Sequence, residues 1–409
     1  MTNATLAGKP IVEAQRIQKT ARPERVVAID LLRALTMILM IFVNDLWSLK
    51  DIPQWLGHVD RGVDGIGLAD IVFPAFLFIV GLSLPYAINA RRAKGQTDAQ
   101  LAGHVLWRSA ALLVMGLFLV NGETLNAEAT GFHRLIWNTV CCICFILLWN
   151  NYPEKTNKWI VYGLRAVALI TLLTFAIVYR GGEDGTNTFA PQWWGILGLI
   201  GWAYLVSGLV TVFSKNNLAI VASIWAFFCA LSMLHHAKLI PDFLYFIPEA
   251  ITGGTLTALT LGGVATALIF GKLRNENGKL TGVLLAISAV LIILSVVTRP
   301  YWGLAKLGAT PAWLFLCSAF TILGFIVVYW IADVYGKEKW FSIIRPAGTA
   351  TLLCYLIPYF AYSTMWMTGI NLPDFMLVGG IGLLKSFLFA ILCAVITGGL
   401  LKAGLRFRV

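Results

Sequence analysis

Residues 28–47 read AIDLLRALTMILMIFVNDLW, and residues 64–88 read DGIGLADIVFPAFLFIVGLSLPYAI. Each run is long and apolar enough to cross a bilayer as a helix, which requires roughly 20 residues. The two runs enclose a polar loop that carries His58, and further polar residues lie at their edges: Asp30, Arg33, Asn44, Asp45, Asp64 and Asp70. Polar groups in or beside lipid are costly, so this cluster indicates a functional site.

The composition of the 409-residue chain indicates an integral membrane protein. Hydrophobic residues make up 58% of it and charged residues 12%, whereas soluble domains contain about 25% charged residues. Apolar runs of spanning length recur from end to end, and no linker separates a second domain. The sequence therefore predicts an all-α, polytopic helical bundle with about twelve transmembrane helices: 26–47, 68–90, 101–121, 134–150, 159–179, 192–213, 218–236, 253–271, 280–298, 311–335, 345–368 and 376–402.

Lysine and arginine alternate between rich and sparse connections, and this alternation predicts the orientation. Both termini are expected in the cytoplasm, and the His58 loop then faces the outer side. We expect a basic cytoplasmic arm over residues 1–25, rather than a cleaved signal peptide, a single transmembrane domain over 26–402 and a cytoplasmic tail over 403–409. The formal charge of +11 requires no nucleic acid partner, because basic cytoplasmic loops meet the anionic lipid of the bilayer.

The remaining motifs indicate neither a metal site nor an ATP-driven protein. All seven cysteines lie inside apolar spans without paired CxxC spacing, so we expect small buried hydrophobic residues. The histidines outside the His58 loop lack paired acids that would suggest metal ligands. The chain also contains no GxxxxGK[ST] phosphate-binding loop.

His58 is the candidate for acid–base or nucleophilic chemistry, because a neutral imidazole takes a proton or an acyl group near pH 7. An exposed loop histidine without a role is the competing interpretation, and spacing alone favours it. Asp70 lies in the first turn of the second span, where a carboxylate stabilises the helix and can also orient His58. Asp64 flanks the same helix start and is a candidate for substrate binding.

The first span carries polar residues at both ends. Asp30 and Arg33 share one helical face and are expected to form a structural ion pair, although Arg33 is also a candidate ligand-binding group. Asn44 can donate a hydrogen bond to a carbonyl oxygen, as oxyanion donors do, or to a neighbouring helix. Asp45, beside it, is a candidate for substrate binding.

Cations and aromatic residues elsewhere supply further candidates. Arg134 opens the fourth span on the His58 side, where its guanidinium can hold a phosphate or sugar hydroxyl or can extend to the interface. The loop over residues 299–306 combines cations and rings, including Trp302 and Lys306, that can face a polar substrate or form an aromatic belt. Lys385 lies deep within the last span and requires a partner or a polar cavity.

Several blocks of sequence occur in a distinctive order. Ile29-Asp30-x-x-Arg33 precedes MILMIFVN ending at Asn44, which is followed by His58 and LADIVFPAFLFIVG. This order resembles the bacterial branch of the heparan-α-glucosaminide N-acetyltransferase family of transmembrane acyltransferases. Later blocks agree, and the resemblance spans about residues 25–400: His133-Arg134-Leu135, PQWWGILGLIGWAYL from Pro191, IPEAITG from Ile247, KLGATPAW from Lys306 and RPAGTATLLCYLIPY from Arg345.

The resemblance implies acetyl transfer across a bacterial inner membrane by a multi-pass protein. Acetyl-CoA would donate from the cytoplasm without a metal, and the amine of an amino sugar would accept on the outer side. The family's active histidine falls on His58, its neighbouring asparagine on Asn44, the acid of the LADxVFP block on Asp70 and the arginine of the fourth span on Arg134. His58 would act as the general base or carry the acetyl group itself. A homodimer is also compatible with this prediction.

Acetyl-CoA is too polar to enter from lipid, so we expect a continuous polar cavity from the cytoplasmic side to His58. Asn44, Asp70 and Arg134 are expected near its outer end. At the cytoplasmic end, Arg91 and Arg92 are candidates for binding the CoA phosphates, although they also follow the positive-inside rule.

The chain departs from the family pattern in three places. Its His58 loop is longer than in the animal enzyme, and Ala350, followed by Thr351, replaces an asparagine of the eleventh span. The large luminal N-terminal region of the animal enzyme has no counterpart here. The expected lack of this luminal region favours a free, glucosamine-like amino sugar or an exported or cell-wall glycan as acceptor, rather than heparan sulfate.

Two other functions remain open from the sequence. Twelve spans with both termini inside is a common plan for secondary transporters, and such a carrier would move a sugar or similar solute unmodified. A related acyltransferase acting on another polymer or a lipid-linked sugar is the third interpretation.

Overall fold

The computed structural model describes residues 26–244 and 246–407, and the long elements in this part of the chain are all helices. The predicted arm over residues 1–25 and the last two residues of the predicted tail lie outside the described residues. Twelve principal helices follow the predicted spans: α1 Val27–Asp45, α2 Leu68–Arg92, α3 Asp98–Glu123, α4 Arg134–Trp149, α5 Lys158–Val178, α6 Ile196–Ser214, α7 Leu218–His236, α8 Thr255–Leu273, α9 Asn277–Trp302, α10 Pro311–Tyr329, α11 Thr351–Thr368 and α12 Gly379–Lys402.

Ten of these helices in the described ranges are long and apolar enough to cross a membrane. Helix α4 is apolar but has only 16 residues, and α11 does not meet the same length and hydropathy criteria. The eleventh predicted span is also divided, because a short helix, Arg345–Thr349, ends at Ala350 before α11 begins. The polytopic helical class is therefore confirmed, whereas the count of twelve spans and the placement of the termini stay predictions.

Shorter helices complete the described structure. Three are α-helical, one π-helical turn continues α10, and the others are 3-10 turns: Ala127–Thr130, Glu249–Thr252, Arg345–Thr349, Trp330–Val334, Leu46–Ser48, Gln54–Leu56, Asp242–Leu244, Glu338–Phe341 and Asp374–Leu377. The turns Leu46–Ser48 and Gln54–Leu56 lie in the loop between α1 and α2, which carries His58. They give this loop a defined path from the end of one spanning helix to the start of the next.

The core of the bundle contains α1, α2, α6, α8 and α10, each with more than half of its most apolar 18-residue segment buried. Helices α5, α7, α9 and α12 have less than a third of the corresponding segment buried, which fits a position at the lipid-facing periphery. Helix α2 packs against α1, α6, α8 and α10. Helix α2, which carries Asp70 in its first turn and Arg91 and Arg92 in its last, is therefore a central helix of the bundle.

Glycine allows α2 and α8 to approach closely. A Cβ atom at Gly81 would lie 1.8 Å from the Thr260 carbonyl oxygen, and one at Gly263 would lie 1.9 Å from the Phe78 carbonyl oxygen. Small residues at such crossings are the usual means of packing membrane helices backbone to backbone. Any side chain at either position would separate α2 from α8 and displace the helix that bears Asp70.

Helices α1 and α2 are antiparallel, since Arg33 near the start of α1 donates a hydrogen bond to Ser83 late in α2. We call the end of the bundle with the start of α1 the inner end, and the end with the α1–α2 loop the outer end. The predicted topology places the inner end in the cytoplasm.

Candidate functional site

His58 and Asp70 form a hydrogen-bonded pair at the outer end. Asp70 occupies the first turn of α2 and is 1% exposed, whereas the His58 side chain is 46% exposed. The Asp70 Oδ1 atom lies 2.7 Å from His58 Nδ1. Its Oδ2 atom accepts hydrogen bonds from the backbone N–H groups of Gly67, at 3.0 Å, and Val59, at 3.1 Å. The carboxylate thus stabilises the helix start and holds the ring at the same time.

The chemistry of this pair follows from the acceptor character of a carboxylate. Because Asp70 can only accept, His58 Nδ1 carries the shared proton, and the Nε2 atom of the neutral ring keeps its lone pair. The Trp313 indole N–H donates to the Asp70 carbonyl oxygen at 2.9 Å and fixes the helix turn from behind. The arrangement can supply a general base or a nucleophile at Nε2 of this half-exposed ring.

Gly67 permits the close contact between the loop and the helix start. A Cβ atom there would lie 2.0 Å from the Gly57 carbonyl oxygen, next to His58 in the chain. Only glycine therefore lets the His58 segment pass this near to the first turn of α2. The backbone approach explains why a long loop returns its histidine to Asp70.

Lys306 reaches the same ring from the loop between α9 and α10. Its Nζ atom lies 3.2 Å from His58 Nδ1 and 3.3 Å from Nε2. Burial lowers the pKa of the Lys306 ammonium, and the nearby negative charge of Asp70 opposes that decrease. The sequence placed Lys306 among substrate-binding candidates, and the structure places it directly against His58.

Asp64 connects the two loops of the outer end. Its Oδ1 atom accepts the Leu304 backbone N–H at 2.7 Å, and both carboxylate oxygens lie 3.1 Å from Arg299 Nε. The Leu304 N–H and the Arg299 guanidinium lower the pKa of Asp64, and partial burial opposes them. Asp64 is therefore engaged in holding the loop that carries Lys306. Trp302, at the end of α9, makes a tilted ring contact with Tyr301 and has no hydrogen bond to His58.

Asp45 belongs to a separate buried cluster at the outer end of α1. It is 3% exposed, and its Oδ1 atom accepts the Tyr362 hydroxyl at 2.7 Å. The Oδ2 atom accepts Lys385 Nζ at 2.7 Å and the Ser386 hydroxyl at 2.6 Å. The partner that the sequence required for Lys385 is thus Asp45. Both carboxylate oxygens are occupied by protein groups, so the position of Asp45 does not support substrate binding.

Asn44 and Arg134 are not hydrogen-bonded to the His58–Asp70 pair. Asn44, one residue before Asp45, has an exposed side chain at the outer end of α1. Arg134 opens α4 and is exposed, with Glu123 at the end of α3 close enough for an electrostatic interaction. The Asn44 and Arg134 roles stay predictions.

A cavity of about 430 Å³ lies at the inner end, between α1, α2, α3 and α6. This volume is within the usual range for small-molecule sites. Arg33 and Arg91, both predicted from the sequence, line it, together with Ala350 and Thr351. The predicted Arg92 is not among the lining residues, because it donates to Asp98 at 2.7 Å and to the Val212 carbonyl oxygen at 3.0 Å.

Arg33 is held in place at the cavity wall. Its guanidinium lies 3.3 Å from Asp30, which confirms the expected ion pair, and donates to the Gly348 carbonyl oxygen at 3.0 Å. Gly348 belongs to the short helix before α11, so Arg33 links α1 to the other side of the cavity.

Two cationic or titratable residues of the cavity were not among the predicted site residues. His104 and Arg108 line it from α3, and Arg108 also lies over the Tyr204 ring at 4.9 Å. The Arg108 Nε atom is buried without a hydrogen-bond partner among the described residues. The i, i+4 spacing of the two residues was the available signal, since it places both on one face of α3.

The cavity does not reach the His58–Asp70 pair in this conformation. Its outermost lining residues on α1 and α2 are Met40 and Phe76. At 1.5 Å rise per residue, these positions lie about 6 Å from Asn44 and about 9 Å from Asp70 along their helices. The lining of this cavity thus does not include His58 or Asp70, and one continuous polar cavity stays a prediction.

The structure also places the cysteines and the other side chains of the types that bind metal ions. All seven cysteines are free and buried, as predicted. Within the described ranges, no group of three histidine, cysteine or acidic side chains is arranged to hold a metal ion.

Comparison with known proteins gives a partial similarity. No protein-family model matches the chain. Human heparan-alpha-glucosaminide N-acetyltransferase is 33% identical over 106 residues, which are 25% of this chain and 15% of the human protein. The mouse protein of the same name is 33% identical over 101 residues, 24% of this chain and 14% of its own length. The aligned segment thus spans a small part of these relatives, and it supports a relationship to that family without favouring a carrier.

Proposed function

We propose that this protein is a transmembrane N-acetyltransferase that moves acetyl from cytoplasmic acetyl-CoA to the amine of an amino sugar at the outer side. The observation that carries the proposal is the hydrogen bond of 2.7 Å between His58 Nδ1 and buried Asp70, in which the His58 side chain stays half-exposed. The partial similarity to human and mouse N-acetyltransferases supports the reaction class.

The inner cavity is the proposed site for the CoA portion of the donor. CoA carries phosphates, and guanidinium groups bind phosphate oxygens through charge-assisted and often bidentate hydrogen bonds. Arg33, Arg91 and Arg108 line the cavity. The gap between its end at Met40 and Phe76 and the His58–Asp70 pair requires that α1 and α2 separate locally when the acetyl arm passes.

Two routes of transfer are compatible with the pair. In the first, His58 Nε2 attacks the thioester carbonyl carbon, the carbon–sulfur bond breaks and CoA leaves as the thiolate. The acceptor amine then attacks the acetylimidazole carbonyl and displaces His58, with loss of the amine proton to solvent. In the second, His58 Nε2 takes that proton while the amine attacks the thioester carbonyl carbon directly, the carbon–sulfur bond breaks and CoA leaves as the thiolate. Asp70 holds the ring in the same tautomer in both.

The remaining roles are part of this proposal. Asn44, exposed at the outer end of α1, is the candidate hydrogen-bond donor to the carbonyl oxygen that becomes negative during transfer. Arg134 is the candidate contact for the acceptor's hydroxyl groups. The bacterial inner membrane, cytoplasmic termini, absence of a metal requirement and a homodimer belong to the same set of expectations.

The test is an acetyl-transfer assay with purified protein in detergent, acetyl-CoA and glucosamine. We expect stoichiometric release of free CoA and formation of N-acetylglucosamine, both lost in His58→Ala. His133→Ala is the matched control, since His133 lies at the same end and stacks on Trp366 without contacting Asp70. Unchanged turnover in His58→Ala would refute the assignment. Acetyl bound to the protein after mixing with acetyl-CoA alone would favour the first route.

A further inference from the structure

Lys306 contacts His58, whereas the ammonium group of a surface lysine usually extends into water. Its Nζ atom is nearly equidistant from the two ring nitrogens, at 3.2 and 3.3 Å, and its side chain is partly buried. Lysine ammonium groups are strongly hydrated and are usually left in water. A partly buried ammonium against an imidazole therefore needs a reason within the site.

The loop that carries Lys306 is fixed on both sides. On one side, the Leu304 N–H donates to Asp64 at 2.7 Å. On the other, the carbonyl oxygen of Ala309 accepts the Thr255 hydroxyl at 2.6 Å, and the carbonyl oxygen of Gly308 lies 2.8 Å from His236 Nε2. Groups from α7, α8 and the α1–α2 loop thus hold the segment on either side of Lys306.

The His58 ring consequently lies between an anion and a cation. Asp70 contacts it from α2 and favours the imidazolium, whereas Lys306 contacts it from the opposing loop and disfavours a second positive charge. Cys317 of α10 is a further titratable residue close to both Asp70 and Lys306, and it is completely buried. Asp64 is paired with Arg299 and directed at the loop backbone.

We infer that Lys306 is a positioning residue whose ammonium keeps His58 neutral, with Nε2 unprotonated, against the opposing pull of Asp70. This inference rests on the proposed function, because only an unprotonated Nε2 can attack a thioester or accept an amine proton. In this conformation the ammonium lies within 3.3 Å of Nε2 as well as of Nδ1, so it has to move aside as the substrates arrive.

Removal of this charge has a directional consequence. In Lys306→Gln, Asp70 acts on the ring without opposition, and His58 takes up a proton more readily. The midpoint of His58 protonation should rise by at least about one pH unit, because two unit charges about 3 Å apart interact by about 1 kcal/mol even at the dielectric constant of water. The acid limb of acetyl transfer should move upward by the same amount, and activity should recover at alkaline pH.

Diethyl pyrocarbonate supplies a test that does not depend on turnover, because among the two protonation states of a histidine it reacts only with the neutral imidazole. The full chain in detergent is treated across a pH series, and the His58 peptide is quantified by mass spectrometry. We expect the midpoint of modification to rise in Lys306→Gln and to stay near the wild-type value in Lys306→Arg. Lys50→Gln, which removes an exposed lysine charge from the end of the same α1–α2 loop, is the matched control and should not move it.

The outcomes separate the two proposals. A midpoint that is unchanged or lower in Lys306→Gln would overturn the role of Lys306. Should that variant fail to fold, Lys306→Met retains the stem and must show the same upward shift. A shifted midpoint in a protein without acetyl transfer would support the charge relation and refute the proposed function.

Discussion

Asp70 and Asp45 are both buried carboxylates at the outer end, yet their surroundings assign them different tasks. Asp45 is saturated by Tyr362, Lys385 and Ser386, all within the bundle. Asp70 gives one oxygen to backbone N–H groups and the other to the half-exposed His58. A carboxylate surrounded by fixed partners joins helices, whereas one that holds a half-exposed imidazole by one nitrogen prepares the other nitrogen for chemistry.

The outer end and the inner cavity differ in the same way. At the outer end, loop backbone, Asp64 and Asp70 fix the position of each group before any ligand is present. At the inner end, Arg108 has a buried Nε atom without a hydrogen-bond partner and faces a cavity. The first region suits a reaction centre and the second a site completed by its ligand.

The largest expected effect concerns stability and distinguishes Asp45 from Asp70. Asp45→Ala leaves the Lys385 ammonium buried without its carboxylate, a change that typically costs about 3–5 kcal/mol. The free energy of unfolding, measured by denaturant titration in detergent, should fall accordingly. Asp45→Ala combined with Lys385→Met should recover much of the loss, because both charges are then absent. Equal instability in the double variant would contradict a paired-charge role.

Asp70→Asn tests the other carboxylate and should change activity more than stability. The amide cannot accept the His58 Nδ1 proton and two backbone N–H groups in the same way, so the ring loses its preferred tautomer. Orienting partners of this kind contribute about 10- to 100-fold in metal sites, which is less than the roughly 10²–10⁴-fold expected for a general base. Turnover of acetyl-CoA with glucosamine should fall by the smaller factor. A loss larger than that of His58→Ala would show that Asp70 acts independently of the ring.

Arg108→Gln tests the inner cavity and should raise the KM for acetyl-CoA by about 10-fold, the weight of one charge-assisted hydrogen bond. The kcat should change little, because Arg108 lies far from His58. Arg165→Gln is the matched control: Arg165 also lies over an aromatic ring, that of Tyr152, but it does not line the cavity. An equal rise in KM for both variants would indicate a general charge effect rather than a CoA site.

The smallest expected effect is the pH dependence of the stability that Asp64 contributes by holding the loop over residues 299–306. The pKa of Asp64 is lowered in the folded protein, chiefly by the Leu304 N–H. Its contribution to stability is therefore present above the unfolded aspartate pKa of about 3.9 and is lost as pH falls through the lower folded value. Near pH 7, the melting temperature of Asp64→Asn should be slightly below that of the wild type. The corresponding loss in the free energy of unfolding should be less than about 1 kcal/mol. The difference should vanish under strongly acidic conditions, and a difference that grew there would contradict the assignment.

The contacts that were predicted from the sequence are mostly local. Asp30–Arg33 follows from helical spacing, and His58–Asp70 follows from a loop that returns to the first turn of the next helix. Contacts between distant segments were not accessible in this way. Lys385 visibly required a partner, but nothing in the chain identified Asp45, 340 positions away. Lys306 and His58 are 248 positions apart, and only the packing of two loops brings them together.

The inner cavity shows a second limit. Apolar spans predict that a helix exists, but they do not predict which of its faces meets a void instead of a neighbour. His104 and Arg108 were therefore not among the predicted site residues, and Arg92 was a candidate for binding CoA although Asp98 and a carbonyl oxygen occupy it. The division between Arg345–Thr349 and α11 was hidden for the same reason, because the apolar run continues through Ala350.

The most direct test of the account uses proteoliposomes of uniform orientation, with acetyl-CoA on the inner-end side and glucosamine on the outer-end side. We predict N-acetylglucosamine in the glucosamine compartment and free CoA in the other, with both lost in His58→Ala. That variant should unfold at nearly the wild-type temperature, because the His58 side chain is half-exposed. Equal product formation by His58→Ala, or passage of unmodified glucosamine into the acetyl-CoA compartment without product, would contradict the account.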